Sequence, residues 1–145
     1  MTEEFEVSEP ELTPEDLLVL DDRRFSTDNV ALVTGAASGI GQATALALAA
    51  NGLTVAGADI DAAGLDETAD LADSFDTPGQ FLPVETDLAD DADVDAVVEA
   101  AADEGDLRYV ANIAGMQHID TVAEFPMEQY DLLTDVMGRA PFYTA

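Results

Sequence analysis

Val30-Ala31-Leu32-Val33-Thr34-Gly35-Ala36-Ala37-Ser38-Gly39-Ile40-Gly41 is the stretch on which the reading of this chain turns. Val30 to Thr34 reads as a buried strand. Three glycines at G-x-x-x-G-x-G spacing then bend it into a helix that opens near Ser38 and runs to about Ala50. Gly35 permits the tight turn, Gly39 lets the backbone approach a pyrophosphate, and Gly41 allows helix and strand to pack closely. The unpaired N–H groups of the first helical turn, at the positive end of the helix dipole, would face the anion. An ordinary strand–turn–helix would also fit the glycines alone. The next strand favours the phosphate cradle: Leu53 to Asp59 ends in an acid 18 residues past Gly41. A carboxylate there can accept both ribose hydroxyls of an adenosine.

The rest of the chain continues the alternation. Asn51-Gly52 stops the first helix. A second helix is expected over Ala62 to Ser74, with Leu65, Ala69, Leu71 and Ala72 inward. A turn at Asp76-Thr77-Pro78-Gly79 leads to a third strand, Phe81 to Glu85, and a third helix, Asp90 to Glu104. A fourth strand, Arg108 to Ile113, and a loop through Pro126 precede a fourth helix from Met127 to about Met137. Such alternation means parallel βαβ units with helices on both faces. Residues 1–28 form an acidic leader. Within it, Thr13-Pro14-Glu15-Asp16 should start a short helix through Leu20. Arg23 and Arg24 come next, to pair locally with Asp21 and Asp22 or to reach a phosphate.

The chain has 145 residues, 32 acidic against 4 basic, and a net charge of -28. All the basic residues are arginine (Arg23, Arg24, Arg108 and Arg139), and there is no lysine. Nucleic acid and anionic membrane need basic surfaces and are excluded as partners. The acids are interspersed with apolar residues, 48% of the chain, so this is no disordered acidic tail. We read a halophilic protein whose carboxylates are screened by concentrated salt, with an acidic mesophilic protein as the alternative. With no cysteine and one histidine, His118, neither a disulfide framework nor a thiolate or multi-histidine metal site is expected. No apolar run reaches 18 residues, and the first residues are acidic, so a soluble cytoplasmic protein is expected.

Thr34-Gly35-Ala36-Ala37-Ser38-Gly39-Ile40-Gly41, Asp59, Asp87-Leu88 and Asn112-Ile113-Ala114-Gly115, in that order, resemble the short-chain dehydrogenase/reductase family. The resemblance spans residues 29–145, about the first half of a typical member. It implies a Rossmann-type doubly wound sheet whose first four strands run in the order 3-2-1-4. It also implies a dinucleotide site. Gly35, Ser38, Ile40 and Gly41 would hold the pyrophosphate, and Asp59 with Ile60 the adenosine ribose. Asp87 and Leu88 would flank the adenine; Asn112, Ala114 and Gly115 would lie along the nicotinamide. Read from the residues alone, Asp59 could instead cap the next helix, Asp90 could be the cap after the third strand, and Asn112 could serve a strand terminus. NAD is expected over NADP, because Asp59 would repel a 2′-phosphate and Ala36 and Ala37 offer no cation.

Gly115-Met116-Gln117-His118-Ile119 and the segment from Glu124 to Asp131 look like the D-3-hydroxybutyrate dehydrogenase branch, in which a glutamine matching Gln117 contacts the substrate carboxylate. His118 reads as a loop or interface residue. The family's chemistry uses a serine, a tyrosine and a lysine four residues beyond the tyrosine. A phenol near its ordinary pKa, about 10, is a poor base without such a cation. No lysine is present, so these residues cannot supply the motif, and Tyr109, Tyr130 and Tyr143 read as packing residues. Met137 stands where the family carries a catalytic asparagine. The expectation is the NAD-binding half of an enzyme acting on a secondary alcohol or hydroxy acid, truncated before its catalytic residues and inactive alone. The family implies a homo-oligomer, and an exposed fourth strand implies self-association. The alternative is a non-catalytic dinucleotide-binding or interaction module, or the relic of an interrupted coding unit.

Overall fold

The computed structural model describes residues 11–145; the first ten residues of the leader lie outside the described residues. Four parallel strands form one sheet: β1 (Asn29–Thr34), β2 (Thr54–Asp59), β3 (Gln80–Glu85) and β4 (Asp106–Asn112). Their order across the sheet is β3-β2-β1-β4. Between them run α1 (Gly39–Ala50), α2 (Ala62–Ser74) and α3 (Asp91–Asp103). β1 is central, with Val30 to Thr34 all buried, as an uninterrupted apolar run requires of a strand covered on both faces. Val33, Ala45, Ala49, Val55 and Leu65 form the core beneath α1 and α2. Val30, Leu32, Ala56, Val97 and Ala101 form the core beneath α3. Each fully buried Val or Leu contributes about 1.5–3 kcal/mol relative to exposure. Pro83 lies in β3, where an edge position tolerates its missing N–H.

β4 departs from a regular ladder. Val30 pairs with Leu107 but Ala31 with Tyr109, which leaves Arg108 as a bulge. Beyond the bulge the register is regular, and Thr34 stands opposite Asn112. The carboxyl ends of all four strands therefore meet on one edge. The chain leaves β1 toward β2 and β3, then returns to place β4 on β1's other side. Ligands of open α/β sheets bind in the crevice at such a switch point.

Two expected helices differ. The leader's short helix is a single 3₁₀ turn, Pro14–Asp16, and does not reach Leu20. The Asn51 side-chain amide donates to the Leu18 carbonyl and accepts from the Leu20 N–H at 2.8 and 2.6 Å, so the backbone is drawn out along α1's C-terminus. The fourth helix is broken: α4 (Met127–Thr134) passes into a π-helical turn, Asp135–Arg139, and then α5 (Ala140–Tyr143). In a regular helix the Pro141 ring would meet the Met137 carbonyl and offer it no N–H; the wider turn absorbs both problems. On α2, the buried residues are Gly64, Leu65, Thr68 and Ala72, so Thr68 takes an inward place that Ala69 and Leu71 were expected to share.

Candidate dinucleotide site

The Thr34–Gly41 turn is forced by sterics. A Cβ on Gly41 would lie 1.8 Å from the Gly35 carbonyl oxygen, so only glycine lets α1 start this close to the end of β1. Gly35 has φ +75°, and a Cβ there would meet the Ala114 backbone at 2.9 Å. Behind the turn, the Gly35 and Ala36 N–H groups both donate to the Ala58 carbonyl at the end of β2. Ser38 is the N-cap of α1, yet its hydroxyl makes no cap hydrogen bond. Hydroxyl and first-turn N–H groups thus face outward at the positive end of a 12-residue helix.

Asp59 closes β2 beside this turn. Its Oδ2 accepts the Ala37 N–H and its Oδ1 the Asp61 N–H, each at 3.1 Å. The carboxylate is oriented by backbone and is not the cap of α2; that role falls to Asp61, which accepts from Gly64 N–H at 3.2 Å. After β3, the Asp87 N–H donates to Asp93 at 2.9 Å, and Asp90 caps α3 through Ala92 N–H. On the other side, the buried Thr34 hydroxyl oxygen accepts the N–H groups of Ile113 and Ala114 at 3.0 and 3.2 Å. It pins the strand that carries Ala114 against the glycine turn.

These elements enclose a cleft of about 710 Å³ at the carboxyl edge of the sheet. Its lining includes Gly35, Ser38, Ile40, Gly41, Asp59, Ile60, Asp87, Leu88, Ala114 and Gly115, all singled out in the sequence. Gly39, Thr86, Ile113, Met116, Leu132 and Val136 complete it. No basic side chain lines it. Two expected site residues stand outside the lining. Asn112 shares the α3-side face of β4 with Val110, and its Oδ1 accepts from the Thr144 hydroxyl at 3.1 Å. Gln117 comes directly after Met116, the last loop residue of the lining. His118 packs its ring edge-on against Phe125, with centroids 5.2 Å apart.

The tyrosines take different places. Tyr109 packs against Phe25, and its hydroxyl donates to the Arg24 carbonyl at 3.4 Å, anchoring the leader. Tyr130 and Tyr143 are 54% and 47% exposed, so the packing expected of them is only partly made. Hydrogen bonding to Asp95 raises the Tyr143 phenol above its ordinary 10.0, opposite to what a general base needs. Arg24 donates a forked pair of bonds to Asp22, the local pairing expected. Among the described residues no cluster of three or more His, Asp or Glu could hold a metal, and no helix is long and apolar enough to cross a membrane.

A profile of the family described as "short chain dehydrogenase" matches residues 29–145. The chain belongs to the short-chain dehydrogenase family. It is 38% identical over 103 residues to D-threitol dehydrogenase of Mycolicibacterium smegmatis, covering 70% of this chain and 39% of that protein. It is 30% identical over 118 residues to levodione reductase of Leifsonia aquatica, covering 80% and 44%. Among solved structures it is similar to L-sorbose reductase from Gluconobacter frateurii complexed with NADPH and L-sorbose. The TM-score is 0.74 at 29% identity, over 84% of this chain and 47% of that one. A short-chain dehydrogenase/reductase from Mycobacterium marinum gives 0.74 at 27% identity, over 92% and 51%. The chain thus spans about half or less of the length of these relatives. The parallel four-strand sheet in the order 3-2-1-4 is the short-chain dehydrogenase fold, and the family is one of oxidoreductases that bind a nicotinamide dinucleotide. None of these four relatives carries the name of a D-3-hydroxybutyrate dehydrogenase.

Three contributors escaped the sequence reading. Thr34 and Thr86 are short polar residues at strand ends, where pattern alone gives them no role. Thr68 could have been found: Gly64, Thr68 and Ala72 recur every four residues on one face of α2.

Proposed function

We propose that this chain is the NAD-binding half of a short-chain dehydrogenase that interconverts a secondary alcohol and a ketone. One observation carries the reading: a single cleft joins a glycine turn with outward N–H groups, a backbone-oriented carboxylate at the end of β2, and the Ala114-Gly115 segment after β4. The residues fit the group. The Gly35 to Gly41 turn would hold the pyrophosphate, with Ser38 and Ile40 as its rim and Ser38 donating from its free hydroxyl. Asp59, with Ile60 beside it, would accept the adenosine ribose hydroxyls. Asp87 and Leu88 would border the adenine, and Ala114 and Gly115 the nicotinamide side, where Asn112 reaches only through the end of its strand. When bound, the dinucleotide supplies a hydride acceptor or donor. The chain's own part is to orient it and exclude water from the shared wall.

NAD is preferred over NADP on this reading. Asp59 and Asp87 put two carboxylates in the lining with no cation against them, so a 2′-phosphate would be repelled. Proton transfer lies outside these residues, which hold no lysine and whose tyrosines stand away from the cleft lining. We assign the chain no catalytic residue and no turnover alone. The substrate class is a secondary alcohol or hydroxy acid. Narrowing it to 3-hydroxybutyrate rests on the likeness of residues 115–119 and 124–131, with Gln117 as its one substrate contact, whereas D-threitol dehydrogenase and levodione reductase are named for other substrates. The same reading puts the protein in the cytoplasm of a halophile, self-associating through the edge of β4 rather than binding nucleic acid or membrane.

Calorimetric titration of the chain in concentrated KCl with NADH and NADPH tests this. We expect NADH to bind more tightly, and Asp59→Asn to weaken NADH about tenfold while leaving NADPH equal or better. Tighter NADPH binding by the unaltered chain would reverse the role given to Asp59. Formation of NADH from a secondary alcohol by this chain alone would reverse the assignment of its proton chemistry elsewhere.

A further inference from the structure

Thr68 is fully buried on α2, yet its hydroxyl faces neither solvent nor the cleft. It lies 2.9 Å from the Ala36 carbonyl oxygen and 3.0 Å from that of Gly64, while the Gln42 side-chain amide donates to it at 2.9 Å. The Gly64 carbonyl already lies in the helix ladder of α2. The Ala36 carbonyl is different. It belongs to a buried loop residue, and the Thr68 hydroxyl is its one hydrogen-bond donor among the described residues. Because the hydroxyl accepts from Gln42, its single proton turns toward the carbonyls, and the Ala36 carbonyl is the one that has no other donor among the described residues.

The Ala36 carbonyl and the Ala37 N–H are two ends of one planar peptide unit. Thr68 holds the carbonyl end at 2.9 Å, and Asp59 Oδ2 holds the N–H end at 3.1 Å. Rotating that plane would break both bonds. Thr68 therefore sets the direction of the N–H that aims the Asp59 carboxylate. Gly64 makes the approach possible, because a Cβ there would lie 2.8 Å from the Ala37 Cβ and push α2 away from the loop.

We propose that Thr68 is a positioning residue: through the Ala36–Ala37 peptide it orients Asp59, and so it sets the preference between the two nicotinamide dinucleotides. This rests on the reading of Asp59 as the ribose acceptor. A residue that only filled space would change stability and leave the preference between cofactors where it was.

The experiment is a double-mutant cycle on the full chain in concentrated KCl, titrated with NADH and NADPH. Thr68→Val keeps the shape and removes the hydroxyl; Thr68→Ser keeps the hydroxyl. We expect Thr68→Val to weaken NADH about tenfold and bring the NADH/NADPH affinity ratio toward one, and Thr68→Ser to restore the ratio. In an Asp59→Asn background, Thr68→Val should add nothing. An unchanged ratio in Thr68→Val, or the same loss with and without Asp59, overturns the proposal. If Asp59→Asn leaves the ratio unchanged, the ribose reading fails. If Asp59→Asn loses it and Thr68→Val does not, only the role of Thr68 fails.

Amide hydrogen exchange at Ala37 in the unliganded chain gives a readout that needs no dinucleotide. It should be slow in the unaltered chain and in Thr68→Ser, and at least tenfold faster in Thr68→Val. Equal exchange in all three overturns the coupling. Should Thr68→Val not fold, Thr68→Cys takes its place, since a thiol is a much weaker donor.

Discussion

On the Gly35–Gly41 side of the cleft, groups that do not face the cleft are bound to one another. Ala58 accepts two N–H groups of the turn, Asp59 accepts that of Ala37 as well as that of Asp61, and Thr68 holds the Ala36 carbonyl. Across the cleft, the Met116 N–H has only the Met137 sulfur at 3.5 Å, a weak acceptor, and the broken helix reaches α3 through an exposed Arg139–Asp91 ion pair. Between them, Ile119 and Val122 are 84% and 99% exposed. The difference arises from what each wall offers. The first wall presents backbone N–H groups to the cleft, and buried partners behind them fix their direction. The wall of loop and side chains is held mainly at its two ends, where Thr34 accepts the Ile113 and Ala114 N–H groups and the Thr144 hydroxyl donates to Asn112.

Removing salt should have the largest effect and should separate the walls. At molar ionic strength the screening length is about 3 Å, and in dilute buffer the 28 net negative charges repel across the whole molecule. We expect circular dichroism to show cooperative structure lost as salt is diluted. Hydrogen exchange should show residues 113–143 losing protection before β1 and α1. Helicity unchanged at low salt would remove the halophilic reading, and simultaneous loss would remove the contrast between walls.

Paired glycine substitutions give the next largest effect. Gly41→Ala places a methyl on the Gly35 carbonyl and should cost about 3 kcal/mol or abolish folding. Gly115→Ala meets the Met137 sulfur at 3.8 Å and the Ile113 carbonyl oxygen at 3.9 Å, both ordinary contacts, and should stay within about 0.5 kcal/mol. Urea unfolding of both variants checks this, and similar costs would mean the second wall is as tightly built as the first.

The smallest effect lies in the leader, away from both walls. Hydrogen bonds from Arg24 lower the Asp22 carboxyl from its ordinary 3.8 to about 2. A carboxyl depressed in the folded state stabilises it above the ordinary value, and that contribution is lost as pH falls from there through about 2. The pair lies at the surface, with Arg24 exposed and Asp22 half-buried, so the gain is slight. Titration of the Asp22 carboxyl by NMR should show the low midpoint, and Arg24→Gln should return it toward 3.8. A midpoint already near 3.8 in the unaltered chain would dissolve the pair in solution.

Much of the first wall could be read in the sequence because its causes are local. Glycine spacing sets where the turn can form, and an acid at a strand end must stand at the carboxyl edge. The second wall was less legible: the helix expected as far as Met137 breaks at Asp135, because the proline that disturbs it lies six residues further on. For Asp59, the sequence left open whether it caps the next helix, and the tertiary structure gives that cap to Asp61.

By itself the sequence determined the alternation of strands and helices, the buried run of β1, and the edge of the sheet at which Gly35, Asp59, Asp87 and Ala114 gather. These come from the period of a strand, the period of a helix and the freedom of glycine, all properties of a few consecutive residues. Only the tertiary structure decided that Ala37 aims Asp59, that Thr68 holds the same peptide from behind, and that Asn112 turns to Thr144. Those bonds join residues 22 to 32 positions apart. Their geometry is set by how closely α2 packs on the sheet and α5 on α3, which no local pattern records.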